Sequence, residues 1–258
     1  MEDNQIRIFR NVCPRNCYNS CAMLSYVKDG RLLKVEGEPN HGYTKGRLCA
    51  KGYVYPDYIY SPHRLRYPLR QFPRGSGNWQ RITWDEALTL IARKLIELNR
   101  RYGSNLAAAY NKFSGNIGIL HQATEAMFEG FGPHTKPRGN PCLAAGLDAL
   151  TYDFGKNYSR DPETMAESKL IVIWGANPAW TAVHQFHFIN KARAQGAKLV
   201  VIDPLYTPTA AKADLYIQIN PGTDGLLALA IAKIIIEQRQ YDSAFIAERV
   251  EGWEPFKR

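Results

Sequence analysis

Four cysteines near the start constrain this chain more than any other feature. Cys13, Cys17 and Cys21 are separated by three residues each, and Cys49 follows after a gap of twenty-seven. A compact trio completed by a distant fourth residue can close four thiolates around one centre, and soft thiolates suit zinc or an iron–sulfur cluster. A zinc site of four cysteines is redox-inert, and its ligands usually come as two tight pairs. The three-plus-one grouping favours the iron–sulfur cluster, with zinc as the bland alternative. Five cysteines in 258 residues are sparse and odd in number, which argues against a disulfide framework.

Composition narrows the function classes. With 45% hydrophobic and 22% charged residues the chain reads as globular, and its length can bury a substantial core. The longest apolar tract, Leu226 to Ile236, is too short to span a bilayer and contains Lys233. No export signal is visible at the start, so a cytoplasmic location is expected. The net charge of +9 raises nucleic acid as a partner, but no recognised nucleic-acid motif is present. Instead Arg64, Arg66, Arg70, Arg74 and Arg81 accumulate between Asp57 and Asp85, where no acidic residue occurs. Such a loop suits a phosphate-bearing cofactor or a partner surface, or is simply solvated.

Along the chain, Ala22 to Glu36 reads as a β-hairpin turning at Asp29-Gly30. Tyr53 to Arg81 reads as a proline-punctuated connector without regular structure. Thr83-Trp84-Asp85-Glu86 is a capping box, and Leu88, Ile91, Ala92, Leu95 and Leu98 supply the apolar face of a helix that Gly103 stops. Leu106 to Tyr110, Leu170 to Trp174, Lys198 to Ile202 and Leu215 to Ile219 read as strands. Phe186 to Ala194 and Leu226 to about Glu237 read as helices. This alternation predicts an α/β fold with a mostly parallel sheet.

In such a sheet, ligands bind beyond the carboxyl ends of the strands. Three candidate turns fall there. Gly175-Ala176-Asn177-Pro178 allows close backbone approach beside an amide, and Asp203-Pro204 places a carboxylate where a ribose or guanine could be held. Gly222-Thr223-Asp224-Gly225 precedes a helix whose N–H groups favour anions. Each alone is weak, since turns are rich in these residues; three in succession favour nucleotide binding.

The ordered motifs resemble the molybdopterin oxidoreductases of the DMSO reductase family. The match runs from Cys13-x3-Cys17-x3-Cys21-x27-Cys49 with Ala50-Lys51-Gly52, through Ser61-Pro62-His63-Arg64-Leu65, Tyr67-Pro68-Leu69 and Trp84-Asp85-Glu86-Ala87. It continues through Gly175-x-Asn177-Pro178, Asp203-Pro204 with Thr207-Pro208-Thr209-Ala210, and Pro221-Gly222-Thr223-Asp224-Gly225. The resemblance implies a [4Fe–4S] cluster on the four cysteines, close to molybdenum or tungsten held by two molybdopterin guanine dinucleotides. It implies that Lys51 lies between cluster and pterin, where its charge favours the reduced cluster. Gly175, Asn177, Asp203 and Asp224 match dinucleotide-contacting positions, and Leu205 departs from the arginine many relatives carry.

The resemblance also implies that Cys142, in a loop thirteen residues before Gly155, ligates the metal; by sequence pattern alone it reads as a small buried hydrophobe. Leu143 stands where formate-oxidising relatives carry histidine, which argues against formate chemistry. His121, His134, His184 and His187 receive no catalytic role. The expected layout is a small β-rich iron–sulfur domain over 1–60, followed over 61–258 by an incomplete parallel-sheet molybdopterin-binding domain with helices on both faces. The expected function is that of the N-terminal part of a molybdopterin-dependent oxidoreductase catalysing two-electron or oxygen-atom transfer. An iron–sulfur electron-transfer subunit and the remaining catalytic polypeptide are the expected partners, and the chain alone is expected to be weakly active or inactive. The alternatives are an electron-transfer or assembly module without an active molybdenum site, and a non-redox tungsten hydratase.

Overall fold

The computed structural model of the chain describes residues 5–113, 115, 119–139 and 143–258. Contacts divide the chain into two compact units, Met1–Asp161 and Pro162–Arg258.

The first unit begins with an antiparallel sheet of β1 (Arg7–Val12), β2 (Ala22–Lys28) and β3 (Arg31–Gly37), in that order. The β2–β3 hairpin turns where the sequence indicates, because Asp29 and Gly30 both take positive φ, +49° and +74°. Met23, Ser25 and Val35 turn inward and are buried. The sequence reading missed β1. Its six residues are all exposed, so no buried face marks it, and ladder bonds to β2 hold it as an edge strand.

The stretch read as an irregular connector carries regular elements. Helix α1 (Ala50–Tyr53) leads into α2 (Tyr55–Ile59), where Pro56 sits in the first turn, a position at which proline starts a helix rather than breaking it. Strands β4 (Leu69–Gln71) and β5 (Trp79–Arg81) then pair antiparallel. The arginines of this basic segment cover aromatic rings: Arg64 lies over Tyr58, Arg70 over Phe72 and Arg81 over Tyr67.

Helix α3 (Trp84–Tyr102) carries the full capping box at Thr83 and Glu86 and ends at Gly103 with φ +65°. Its apolar residues Leu88 and Ile91 remain 60% and 57% exposed, so local signals rather than burial define the helix. The strand expected over Leu106 to Tyr110 is instead a 3-10 turn, Asn105–Ala107, followed by one parallel bridge from Ala109 to Thr135. Helices α4 (Ala123–Phe131) and α5 (Leu143–Phe154) follow.

The second unit alternates β6 (Leu170–Trp174), α6 (Pro178–Thr181), α7 (Val183–Ala194), β7 (Lys198–Ile202), β8 (Leu215–Ile217) and α8 (Asp224–Glu237), then α9 (Ser243–Arg249) and α10 (Trp253–Phe256). The strands form a parallel sheet in the order β6-β7-β8, with Leu170 opposite Lys198 and Val200 opposite Leu215. Alternation divides the strand residues. Ile171, Ile173, Leu199 and Val201 pack with Phe186, Ile189 and Ala192 of α7, while Leu170 and Val172 point to the opposite, exposed face. His184 is buried within α7, in keeping with a packing role.

Asp214 ties β7 to the entry of β8. Its Oδ2 accepts from Leu199 N–H at 2.7 Å, and Arg193 approaches Oδ1 at 3.4 Å. The Leu199 bond chiefly, with Arg193 assisting, holds the Asp214 carboxyl below its ordinary value. A depressed folded pKa contributes stability above the unfolded carboxylate value of about 4, and that stability is lost as pH falls through the folded value. The stability advantage of wild type over Asp214→Asn in urea titrations should therefore shrink between about pH 4 and pH 2. A constant offset across that range would contradict this linkage.

Candidate functional site

The cysteine trio occupies the mouth of the β1–β2 hairpin. The register that sets Val12 opposite Ala22 brings the next residues outward, Cys13 and Cys21, face to face. Cys13 N–H donates to the Cys21 carbonyl at 2.9 Å, which closes the loop, and Cys17 sits within it. Three-residue spacing on both sides of Cys17 thus becomes a loop rather than a helical turn.

Cys49 is returned to this loop by β3 and the segment after it. Gly37 ends β3 against the backbone of Gly46, and any Cβ at position 37 would collide with the Gly46 carbonyl oxygen. Glu38 N–H continues onto the Ala22 carbonyl at 3.0 Å. The Nδ1 of His41 accepts from Thr44 N–H at 3.0 Å, and Thr44 is fully buried. Cys49 then stands at the N-cap of α1, and its carbonyl accepts from Gly52 N–H at 2.8 Å. Tyr60 pins α2 to β3 by accepting Leu32 N–H at 2.7 Å.

The Cys21 thiol feels the other three cysteines. Burial pushes the Cys21 thiol up to about 11, and Cys13, Cys17 and Cys49 each add to the rise. The Tyr43 hydroxyl is pushed up to about 12, first by burial and then by neighbours that include Tyr18, Cys17 and Cys21. Tyr55 is buried in the apolar cluster with Cys21, Met23, Val35 and Leu48, and its Oη lies 3.3 Å from Cys13 Sγ. Burial first, and then the Cys13 contact, raise its pKa. The Arg15 guanidinium lies 5.6 Å from the centre of the Tyr55 ring.

The donor set fits a sulfide-bridged cluster. Among the described residues, all four cysteines are thiols outside any disulfide. Also among the described residues, no three His, Cys, Asp or Glu side chains converge within reach of a single ion. The Nε–H of Arg15, between Cys13 and Cys17, is buried without an acceptor, an orphan donor suited to an anionic cluster.

A second group of candidates assembles at the carboxyl edge of the β6-β7-β8 sheet. Gly175, with φ +60°, leaves β6 and donates its N–H to the Ile202 carbonyl at 2.9 Å. Asn177 caps α6, and its Oδ1 accepts from Thr209 Oγ1 at 2.7 Å. The same Thr209 oxygen accepts from Ala179 N–H at 3.1 Å. Buried Asp203 uses Oδ1 to accept from Leu205 N–H at 2.8 Å, while its carbonyl accepts from the Tyr216 hydroxyl at 2.9 Å. Asp224 opens α8 and accepts from Trp174 Nε1 at 2.7 Å. Turns separated by about fifty residues are thus tied together at one end of the sheet.

Of the sequence candidates, the four cysteines lie in the first unit, three in the hairpin mouth and Cys49 at the start of α1, and Gly175, Asn177, Asp203 and Asp224 gather in the second. Lys51 lies exposed on α1, two residues after Cys49. Cys142 lies outside the described residues. The sequence reading missed Tyr55, hidden in the supposed connector, and Arg15, whose place inside the trio was an available signal. It quoted Thr209 within a motif without selecting it, and passed over Trp174 as a strand residue.

Thr209 is fully buried, so Thr209→Val removes the hydroxyl that links Asn177 to Ala179 while keeping side-chain shape. Leaving both partners unsatisfied should cost about 1–3 kcal/mol, measured by urea denaturation. A loss below about 0.5 kcal/mol, the scale of an indifferent surface change, would deny this link a structural role.

Comparisons with known proteins agree with this layout. The model of the molybdopterin oxidoreductase Fe4S4 domain matches residues 6–61, and that of molybdopterin oxidoreductase matches residues 64–251. The chain is 37% identical over 251 residues to "Probable oxidoreductase YyaE" of Bacillus subtilis, covering 97% of this chain and 37% of that protein. It is 33% identical to perchlorate reductase subunit alpha of Dechloromonas aromatica, covering 92% of this chain and 26% of the relative. The structure of acetylene hydratase from Pelobacter acetylenicus matches with a TM-score of 0.71 and 25% identity, over 96% of this chain and 34% of that one. The chain therefore spans about a third of the length of the relatives it matches. Among the described residues, no helix is long and apolar enough to cross a membrane. With an iron–sulfur domain model and a molybdopterin model following one another along its length, the chain belongs to the molybdopterin oxidoreductase family, of DMSO reductase type.

Proposed function

We propose that the chain serves as the N-terminal part of the catalytic subunit of a molybdopterin-dependent oxidoreductase. The observation that carries this reading is the hairpin mouth, where the Cys13 N–H meets the Cys21 carbonyl at 2.9 Å around Cys17 and the chain returns with Cys49 at the N-cap of α1. Residues 1–60 act as the iron–sulfur domain, and residues 61–258 as part of the pterin-binding domain. Cys13, Cys17, Cys21 and Cys49 hold a [4Fe–4S] cluster, and Lys51 supplies positive charge beside Cys49. Cys142 offers a thiolate to molybdenum or tungsten.

The carboxyl edge of the second unit's sheet orients the dinucleotide. Gly175 lets a phosphate-bearing group approach the backbone, which a Cβ in this left-handed conformation would hinder. Asn177, held by Thr209, and Asp203, held by Leu205, present fixed polar groups for ribose or base. Asp224 is kept in place by the Trp174 indole at the opening of α8. When bound, the pterin-held metal supplies the two-electron or oxygen-atom transfer chemistry, and the protein contributes orientation and electrostatics. An iron–sulfur partner subunit exchanges electrons singly with the cluster, in keeping with relatives named as alpha subunits.

The likeness to acetylene hydratase favours one second reading, a hydration without net electron transfer. Anaerobic purification followed by metal analysis, pterin fluorescence and nucleotide release tests the primary reading. Iron with molybdenum or tungsten and guanine nucleotide is the expected result. Iron alone would point to an electron-transfer module, and zinc alone would overturn the proposal. In the complete enzyme, turnover should depend on an electron donor or acceptor; turnover needing neither would favour the hydratase reading.

A further inference from the structure

Tyr55 lies in the first turn of α2, thirty-four residues after the last cysteine of the trio, yet it is 93% buried beside them. Its Oη stands 3.3 Å from Cys13 Sγ. In the thiol state either atom can donate. Once Cys13 is bound as a thiolate its sulfur has only lone pairs to offer, so the Tyr55 O–H becomes the donor. The ring is locked by Met23, Val35 and Leu48 on its apolar side, and Arg15 lies over its face at 5.6 Å. The other polar neighbour of the hydroxyl is the Arg15 side chain, which can only donate to it, so the hydroxyl proton is left for the Cys13 sulfur.

We infer that Tyr55 is a positioning residue for the cluster, its hydroxyl donating to the Cys13 sulfur and raising the cluster's reduction potential. The inference rests on the reading that Cys13, Cys17, Cys21 and Cys49 are the cluster ligands. The physical reason is that reduction adds negative charge to the cluster and its thiolates, and a donor aimed at a ligand sulfur interacts more strongly with the more negative state. Hydrogen bonds to the sulfurs are among the known determinants of iron–sulfur potentials. Arg15 is placed to act in the same direction, with a full positive charge and a buried Nε–H without an acceptor. The redox step is a single-electron couple: one electron enters the cluster from an added reductant, and the hydroxyl proton stays on Tyr55. No protein bond forms or breaks.

The test is Tyr55→Phe in the full chain carrying its cluster, because phenylalanine keeps the ring and its packing and removes only the hydroxyl. Dithionite titration followed by EPR should show a lower potential than wild type. The expected fall is about tenfold in the ratio of reduced to oxidised cluster at a fixed poise, or about 59 mV for one electron. ENDOR of the reduced cluster in deuterated water should lose one exchangeable deuteron coupling in the variant. An unchanged potential with four irons retained would overturn the inference. Should Tyr55→Phe fail to hold iron, 3-fluorotyrosine placed at position 55 alone decides, because it keeps the hydroxyl and makes it a stronger donor: a raised potential supports the inference, and an unchanged one overturns it. A wild-type chain without a four-iron signal would instead overturn the ligand assignment, and this inference with it.

Discussion

A buried thiolate beside other thiols carries an electrostatic cost that a positive centre offsets. Burial, and then the neighbouring Cys13, Cys17 and Cys49, push the Cys21 thiol up to about 11. A metal centre removes this conflict, because coordination favours the deprotonated sulfur and couples metal binding to folding. The geometry of the first unit brings the cysteine-bearing segments together. The β1–β2 ladder sets Cys13 against Cys21, and the Gly37–Gly46 contact turns the chain back so that Cys49 can join them. Tyr55 and Arg15 then place a hydroxyl and a cation where the negative charge would gather.

The second unit solves a different problem, that of fixing polar turns at a sheet edge. Each candidate side chain there is held by a neighbour from a distant turn: Asn177 by Thr209, Asp203 by the backbone of Leu205, Asp224 by Trp174. Such fixing reduces the ordering cost of binding a long, flexible dinucleotide. Leu205, the position the family resemblance gives to arginine, is 69% exposed, donates its backbone N–H to Asp203 and accepts from Thr207 N–H.

Much of this was legible because it is encoded locally. Asp29-Gly30 specifies a tight turn, the Thr83–Glu86 capping box starts a helix without help from burial, and the apolar runs at 170–174 and 198–202 form the paired strands β6 and β7. The four-cysteine spacing suggested one shared centre, and the structure places the trio in the mouth of the β1–β2 hairpin. The misreadings have physical causes. Strand β1 has no buried face and so no alternation, and prolines concealed α2 and the β4–β5 pair inside an apparent connector. The run from Leu106 to Tyr110 has strand-like composition but, among the described residues, finds a single bridging neighbour at Thr135. Tyr55 was invisible because its role depends on a contact across forty-two residues.

The central claim is that Cys13, Cys17, Cys21 and Cys49 together hold a four-iron cluster. Mössbauer spectroscopy of the chain reconstituted anaerobically with 57Fe and sulfide tests it most directly. The account predicts the delocalised signature of a [4Fe–4S] centre at one cluster per chain, lost on Cys21→Ala. A stoichiometric zinc ion in place of iron, or an undiminished four-iron spectrum in Cys21→Ala, would contradict it.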